Sequence, residues 1–124
     1  MTIAYFCIVI AIFIPIFCVG YAKFSVKGYN NRSPREFLEK LEGRAKRANF
    51  AQLNSYETFP PFAAGVIIAH QLCAPQAAIN FLALSFIAAR ILFVTFYIQD
   101  KHKLRSIVWV IGLIATVSLY FIGI

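Results

Sequence analysis

Glu57 and Arg90 lie inside hydrophobic stretches that otherwise read as membrane spans. A charge at the centre of a membrane helix is unfavourable by roughly 2.5 to 3.5 kcal/mol on insertion scales, so such groups normally face a bundle interior and a partner. Their opposite signs and different stretches point first to each other. Around Glu57 the spacing adds further chemistry. Arg47, Ala51, Asn54 and Glu57 fall within an arc of ~120° on a helix, so one face carries a base, an amide and an acid. Such a stripe belongs against protein or a cavity. Its plain structural use is hydrogen bonding across helices, and its functional use is a polar ligand site. Pro60 and Pro61 remove the amide donors that would bond the carbonyls of Tyr56 and Glu57. A kink with freed carbonyls beside a carboxylate is the functional expectation, and a merely bent span the alternative.

Other reactive groups are sparse. Cys7 and Cys18 are eleven residues apart on one predicted helix, roughly 16 Å along its axis and too far for a disulfide. With Cys73 they form no CxxC or His-spaced cluster and read as small apolar fillers. His70 and His102 fall on opposite sides of the expected membrane, so no metal site is expected.

The elements that must position these groups are helical spans. Of the 124 residues 60% are hydrophobic and 14% charged, with a mean hydropathy of +0.73, far from an ordinary soluble domain. Four apolar stretches, at about 3–22, 48–71, 76–98 and 107–124, each approach the ~20 residues that cross the hydrocarbon. The first lacks the basic flank and small-residue cleavage pattern of a secretion signal and is read as a retained span. The expected fold is an all-α, left-handed, up-down four-helix membrane bundle forming a single domain over residues 1–124. Span one carries Pro15 and Gly20 as points of bending or close packing, and Trp109 sits near one edge of span four as an interfacial aromatic. Arg90 falls about two turns, or ~10 Å, from the end of span three near Tyr97.

Charge sets the expected orientation. Eight of the twelve Lys and Arg residues lie between Lys23 and Arg47, and Lys101, Lys103 and Arg105 add three more in the third loop, whereas the loop around Ala74 and both termini carry none. This predicts cytoplasmic loops one and three, with both termini on the opposite side. A formal charge of +7 concentrated on one face suits anionic lipid headgroups or anionic solutes better than nucleic acid, which needs a larger soluble platform. Within loop one, Ser33-Pro34-Arg35-Glu36 has the form of a capping box with proline at the first helical position. From Pro34 one long helix is expected, with a cytoplasmic extension over about 34–47 that then enters the bilayer. The short chain and the lack of an endomembrane retention signal favour a bacterial inner membrane.

The stretch RAKRANFAQLNSYETFPPFAA resembles the second-helix signature of the MAPEG family, the membrane-associated proteins of eicosanoid and glutathione metabolism. Ala51, Asn54, Glu57, Pro60 and Phe62 match its pattern, and Arg47 falls where members carry an earlier arginine. Ala89-Arg90, then Tyr97, then Leu104-Arg105-Ser106 is similar to the family's third and fourth helices. Three positions depart from it: Phe50 stands where many members have arginine, Thr58 where tyrosine often follows the glutamate, and Phe93 where an aromatic hydroxyl is frequent. The resemblance implies a homotrimer with glutathione held between subunits near the cytoplasmic face and a lipophilic substrate arriving through the bilayer. It implies that Arg47, Gln52, Asn54, Glu57 and Tyr97 contact glutathione, that Arg105 stabilises its thiolate, and that Arg90 is a structural charge inside the bundle. A membrane-bound glutathione-dependent transferase or peroxidase is the leading expectation. A non-catalytic lipid-binding or partner-binding protein is the alternative. A small proton-coupled transporter fits poorly, because its acid would be expected in the first span, which here is uncharged.

Overall fold

The first helix begins where Thr2 caps it, its hydroxyl accepting from the Tyr5 amide at 3.2 Å. In the computed structural model, which describes all 124 residues, helix α1 spans Ile3–Phe24, α2 Pro34–Glu39, α3 Gly43–Gln71, α4 Gln76–Ile98 and α5 His102–Phe121. The buried residues of α1 are Ala4, Cys7, Ala11, Pro15, Cys18 and Ala22, a stripe at three- and four-residue spacing made entirely of small side chains. Small residues let helix backbones approach closely, which matters in lipid because transfer out of water no longer drives helices together.

That stripe receives α3. At one end Thr2 and Tyr5 meet His70, which donates from Nδ1 to the Val66 carbonyl at 2.7 Å, sits 3.0 Å from the Thr2 hydroxyl through Nε2, and stacks on the Tyr5 ring at 4.0 Å. Midway, Cys18 shares a cluster with Ala51, Phe93 and Val108. At the other end Ala22 packs with Ala45 and Ala48. By length and composition α1, α4 and α5 are apolar enough to cross a membrane. The span expected over 48–71 does not reach that standard, because Asn49, Gln52, Asn54, Ser55 and Glu57 dilute its apolar content. Nevertheless α3, at 29 residues, is about 43 Å long and lies antiparallel to the whole of α1, so it covers the same thickness.

The single long helix expected from Pro34 is broken. Proline does start α2, but Ser33 makes no side-chain capping bond, and the chain turns a corner at Lys40–Glu42 before Gly43, whose φ of +62° lies in the left-handed region that glycine enters without steric cost. The physical cause is tertiary. Leu38 and Leu41 are both buried against Ala22, Ala45 and Ala48, which a straight helix pointing away from the bundle would forbid. Through Pro60 and Pro61 α3 stays helical, and the Tyr120 hydroxyl donates to the Pro61 carbonyl at 2.8 Å.

Two similar turns join the last three helices. After α3, Cys73 takes φ +54°, with Cys73 N bonding His70 O and Ala74 N bonding Ala69 O; after α4, Asp100 takes φ +61°, with Asp100 N bonding Tyr97 O and Lys101 N bonding Phe96 O. Both are Schellman endings. They fold the helices back tightly enough that the termini and the 72–75 turn share one end. The segment 25–42 and the 99–101 turn share the other, together with eleven of the twelve basic residues.

Candidate functional site

The groove between α3, α4 and α5 gathers most of the chemistry. Its outer part, a cavity of about 310 Å³ at the basic end, is lined by Asn54, Phe93, Tyr97, Arg105, Ser106 and Trp109, with Val110. An inner part of about 340 Å³ shares Asn54 and Trp109 and runs deeper past Glu57, Thr58, Phe86, Arg90 and Thr116. The groove therefore has a cationic mouth and a largely apolar floor interrupted by a few polar groups, as ligand sites typically do.

Local structure explains each placement. The Schellman turn at Asp100 puts Tyr97, in the last turn of α4, beside Arg105, in the first turn of α5, and the guanidinium lies 4.2 Å over the Tyr97 ring. Tyr97 meets Phe93 edge-on at 5.5 Å, and Phe93 in turn lies 4.2 Å under the Arg90 guanidinium. Two arginines are thus joined by two rings, one guanidinium at the mouth and one within. Sequence spacing alone does not show this, because α4 supplies only three of the four members.

On α3, Asn54 Nδ2 donates to Glu57 Oε2 at 3.3 Å. Asn54 Oδ1 is buried and has no hydrogen-bond partner. A buried amide oxygen left unmatched is unfavourable by about 1–3 kcal/mol, and Asn54 lines both cavities. Glu57 itself is exposed on the groove. An acceptor pair of this kind suits an ammonium or amide, while Arg105 suits an anion.

Arg90 is 3% exposed. The pairing with Glu57 expected from their charges does not form. Arg90 Nη2 instead donates to the Ser55 hydroxyl at 3.2 Å, and Ser55 is fixed by its own bond to the Ala51 carbonyl at 2.8 Å. The reason is helical phase. Ser55 and Glu57 are two residues, about 200°, apart on α3, so when Ser55 faces the interior Glu57 must turn to the groove. In a double-mutant cycle of Glu57→Gln and Arg90→Gln, followed by unfolding in detergent, we expect a coupling below about 0.5 kcal/mol. A coupling above 1 kcal/mol would mean that the two charges do sense one another directly.

Two other sequence-selected residues lie elsewhere. Gln52 is buried and donates to Asn49 Oδ1 at 3.3 Å; both line a separate groove of about 460 Å³ between α2 and α3, with Arg35, Glu39 and Tyr56. Arg47 Nε donates to the Ile98 carbonyl at 3.1 Å, satisfying one of the orphan carbonyls that end α4. Within one chain Arg47 therefore anchors the corner that carries Tyr97 and Arg105. Arg47→Ala should lower stability by about 1.5 kcal/mol, the low end for a bond to a charged donor that is half exposed, with Arg47→Lys recovering part of it. Wild-type melting of the alanine variant would remove that anchoring role.

Ser55, Ser106, Trp109 and Thr116 belong to this region without having been selected as site residues. Hydroxyl side chains facing inward on otherwise apolar helices were the available signal, but a serine can equally bond its own helix, as Ser106 does to the His102 carbonyl at 3.0 Å. At the three departures, Phe93 is buried beneath Arg90, Thr58 donates to the Ser55 carbonyl at 3.3 Å, and Phe50 is exposed beneath Lys46 at 5.7 Å.

No curated protein and no solved structure matches the chain significantly. The sequence model of the MAPEG family matches all of it, residues 1–124. This multi-pass membrane chain of helices, with Asn54 and Glu57 on α3 facing Tyr97 and Arg105 across one groove, belongs to the MAPEG family, whose membership implies a glutathione-related membrane enzyme in general terms.

Proposed function

We infer that the protein is a membrane-bound glutathione-dependent transferase or peroxidase acting on lipophilic electrophiles or hydroperoxides. The observation that carries this reading is the groove with opposite chemistry at its two polar points: the Arg105 guanidinium at the mouth, and the Asn54–Glu57 pair with an unmatched buried oxygen. Glutathione offers an ammonium for the acceptors and a thiol for the guanidinium. A nearby cation lowers a thiol's pKa, and the thiolate is the nucleophile. In conjugation its sulfur forms a bond to an electrophilic carbon as the leaving group departs or an alkene carbon gains the proton. In peroxide reduction two glutathiones become the disulfide while the hydroperoxide becomes an alcohol and water. The apolar inner cavity, floored by Phe86 with Leu113 and Val117, suits the lipophilic partner.

A homotrimer completes this reading. Gln52 and Asn54 are separated by about 200° on α3 and line different grooves. Only between two copies could Gln52 of one join Asn54, Glu57, Tyr97 and Arg105 of the next around one tripeptide. By the positive-inside rule the end bearing segments 25–42 and 99–101 lies in the cytoplasm and both termini lie opposite, which sets the glutathione mouth on the side where glutathione is abundant. A bacterial inner membrane is the proposed host.

A second reading, a non-catalytic protein that presents a lipid, draws on Phe50 and Phe93, which place rings where charged or hydroxyl groups would add ligand contacts. Titrating glutathione into the detergent-solubilised protein while following heat and thiolate ultraviolet absorbance separates the two. Heat with a thiolate band supports the enzyme. Absence of both at millimolar glutathione, in folded protein, rejects it in favour of the lipid-presenting reading.

A further inference from the structure

The basic end holds more positive charge than the groove can use. Between Lys23 and Arg47 there are eight Lys and Arg residues against three acids, Glu36, Glu39 and Glu42. Lys27, Arg32, Lys40 and Arg44 are exposed and no ion pair holds them. Their field is therefore not cancelled within the chain.

The same segment exposes apolar groups beside those charges. Phe24, the last residue of α1, is 77% exposed and Val26 is 40% exposed. Tyr29 packs edge-on against Phe24 at 5.7 Å and Phe37 at 5.1 Å, with Lys23 Nζ 5.0 Å from its ring. Leu38 and Leu41 bury against Ala22, Ala45 and Ala48, and these burials with the Phe24–Tyr29–Phe37 ring contacts tie the segment to the ends of α1 and α3. The charges are consequently kept at the level where α1 leaves the hydrocarbon.

A soluble anion would use the charges but leave Phe24 and Val26 without a purpose. A phospholipid uses both, its acyl region against the apolar side chains and its phosphate against the bases. We propose that the segment from Lys23 to Arg44 is a collar that binds the headgroups of anionic phospholipids in the surrounding bilayer, with Lys27, Arg32 and Lys40 as the principal phosphate contacts. Each base near an anionic surface contributes about 1 kcal/mol, roughly fivefold in affinity, and the attraction is screened by salt. None of these three residues lines the groove between α3, α4 and α5 of its own chain, and counting lipids in the absence of glutathione reads the collar separately from glutathione chemistry.

The test uses the full chain in nanodiscs of mixed phosphatidylglycerol and phosphatidylcholine, with the lipids retained after detergent extraction counted by native mass spectrometry. Wild-type protein should retain phosphatidylglycerol in excess of its share and lose that excess at high salt. The triple variant Lys27→Gln, Arg32→Gln, Lys40→Gln should lower the preference fivefold or more while keeping wild-type circular dichroism. Equal retention of the two lipids by wild-type protein overturns the proposal even if the variant fails to fold. So does a smaller fall in a folded variant. Inorganic phosphate that removes the preference better than chloride at equal ionic strength would assign the charges to a soluble anion and would likewise overturn it.

Discussion

Replacing Arg105 by alanine should abolish the thiolate band of bound glutathione while leaving the helices folded. At about 4 Å a unit charge contributes on the order of 4 kcal/mol at an effective dielectric of 20. The groove mouth is open and Arg105 is only half buried, so solvent screening reduces this to about 1.4 to 2.8 kcal/mol, or one to two pKa units. A free thiol near 8.5 is only a few per cent ionised at neutral pH. Lowering it by one to two units makes a substantial or major fraction ionised, and the alanine variant would return it to the free value. The thiolate fraction at pH 7 should therefore fall about tenfold or more. Structural collapse is not expected, since the variant removes only a cation–π contact with Tyr97, worth roughly 0.5–1 kcal/mol at an exposed site. Arg105→Lys should retain part of the effect, because it keeps the charge but loses the planar fork. Equal thiolate absorbance in wild type and Arg105→Ala, both saturated with glutathione, would remove Arg105 from its assigned role and turn attention to Lys101 and Lys103.

The α3 region shows how much of this site could be read from residues alone. Helical phase puts its Asn54 and Glu57 on one face, and both line one groove, because the period of a helix is fixed by backbone geometry and needs no knowledge of neighbours. Partners were less legible. Charge matches Arg90 to Glu57, yet in a bundle the partner is the side chain that shares its level and azimuth, which is Ser55. Helical phase puts Arg47 on the ligand stripe, whereas the carbonyl it satisfies belongs to α4, fifty-one residues away in sequence. The break before Gly43 was likewise hidden. Lys40, Leu41 and Glu42 are good helix formers, and only the burial of Leu38 and Leu41 on Ala22 shows why propensity is overruled there.

The stability of the groove rests on its far wall, and Phe62→Ala should be the most damaging single core replacement. Phe62 is fully buried and stacks on Phe86 with ring centroids 3.8 Å apart and planes 9° from parallel. Phe86 alone both lines the inner cavity and belongs to the buried main core cluster. Truncation of a buried phenylalanine in a protein interior is unfavourable by about 3–5 kcal/mol, made up of a transfer part and a cavity part. In a bilayer the transfer part is weak, because lipid tails solvate a phenyl ring nearly as well as a protein core does, while the loss of packing contacts remains. The expected loss is thus near 3 kcal/mol, measured by unfolding in detergent or by the midpoint of thermal aggregation. Phe62→Leu should recover about half by refilling most of the space. A consequence for function follows from the shared wall. Freed from its stacking partner, Phe86 can turn into the vacated volume and enlarge the inner cavity, so the variant should accept bulkier lipophilic ligands than wild type even where it is less stable. Wild-type stability in Phe62→Ala would show that the helices close over the gap, and an unchanged ligand size limit would show that Phe86 holds its place without the stack.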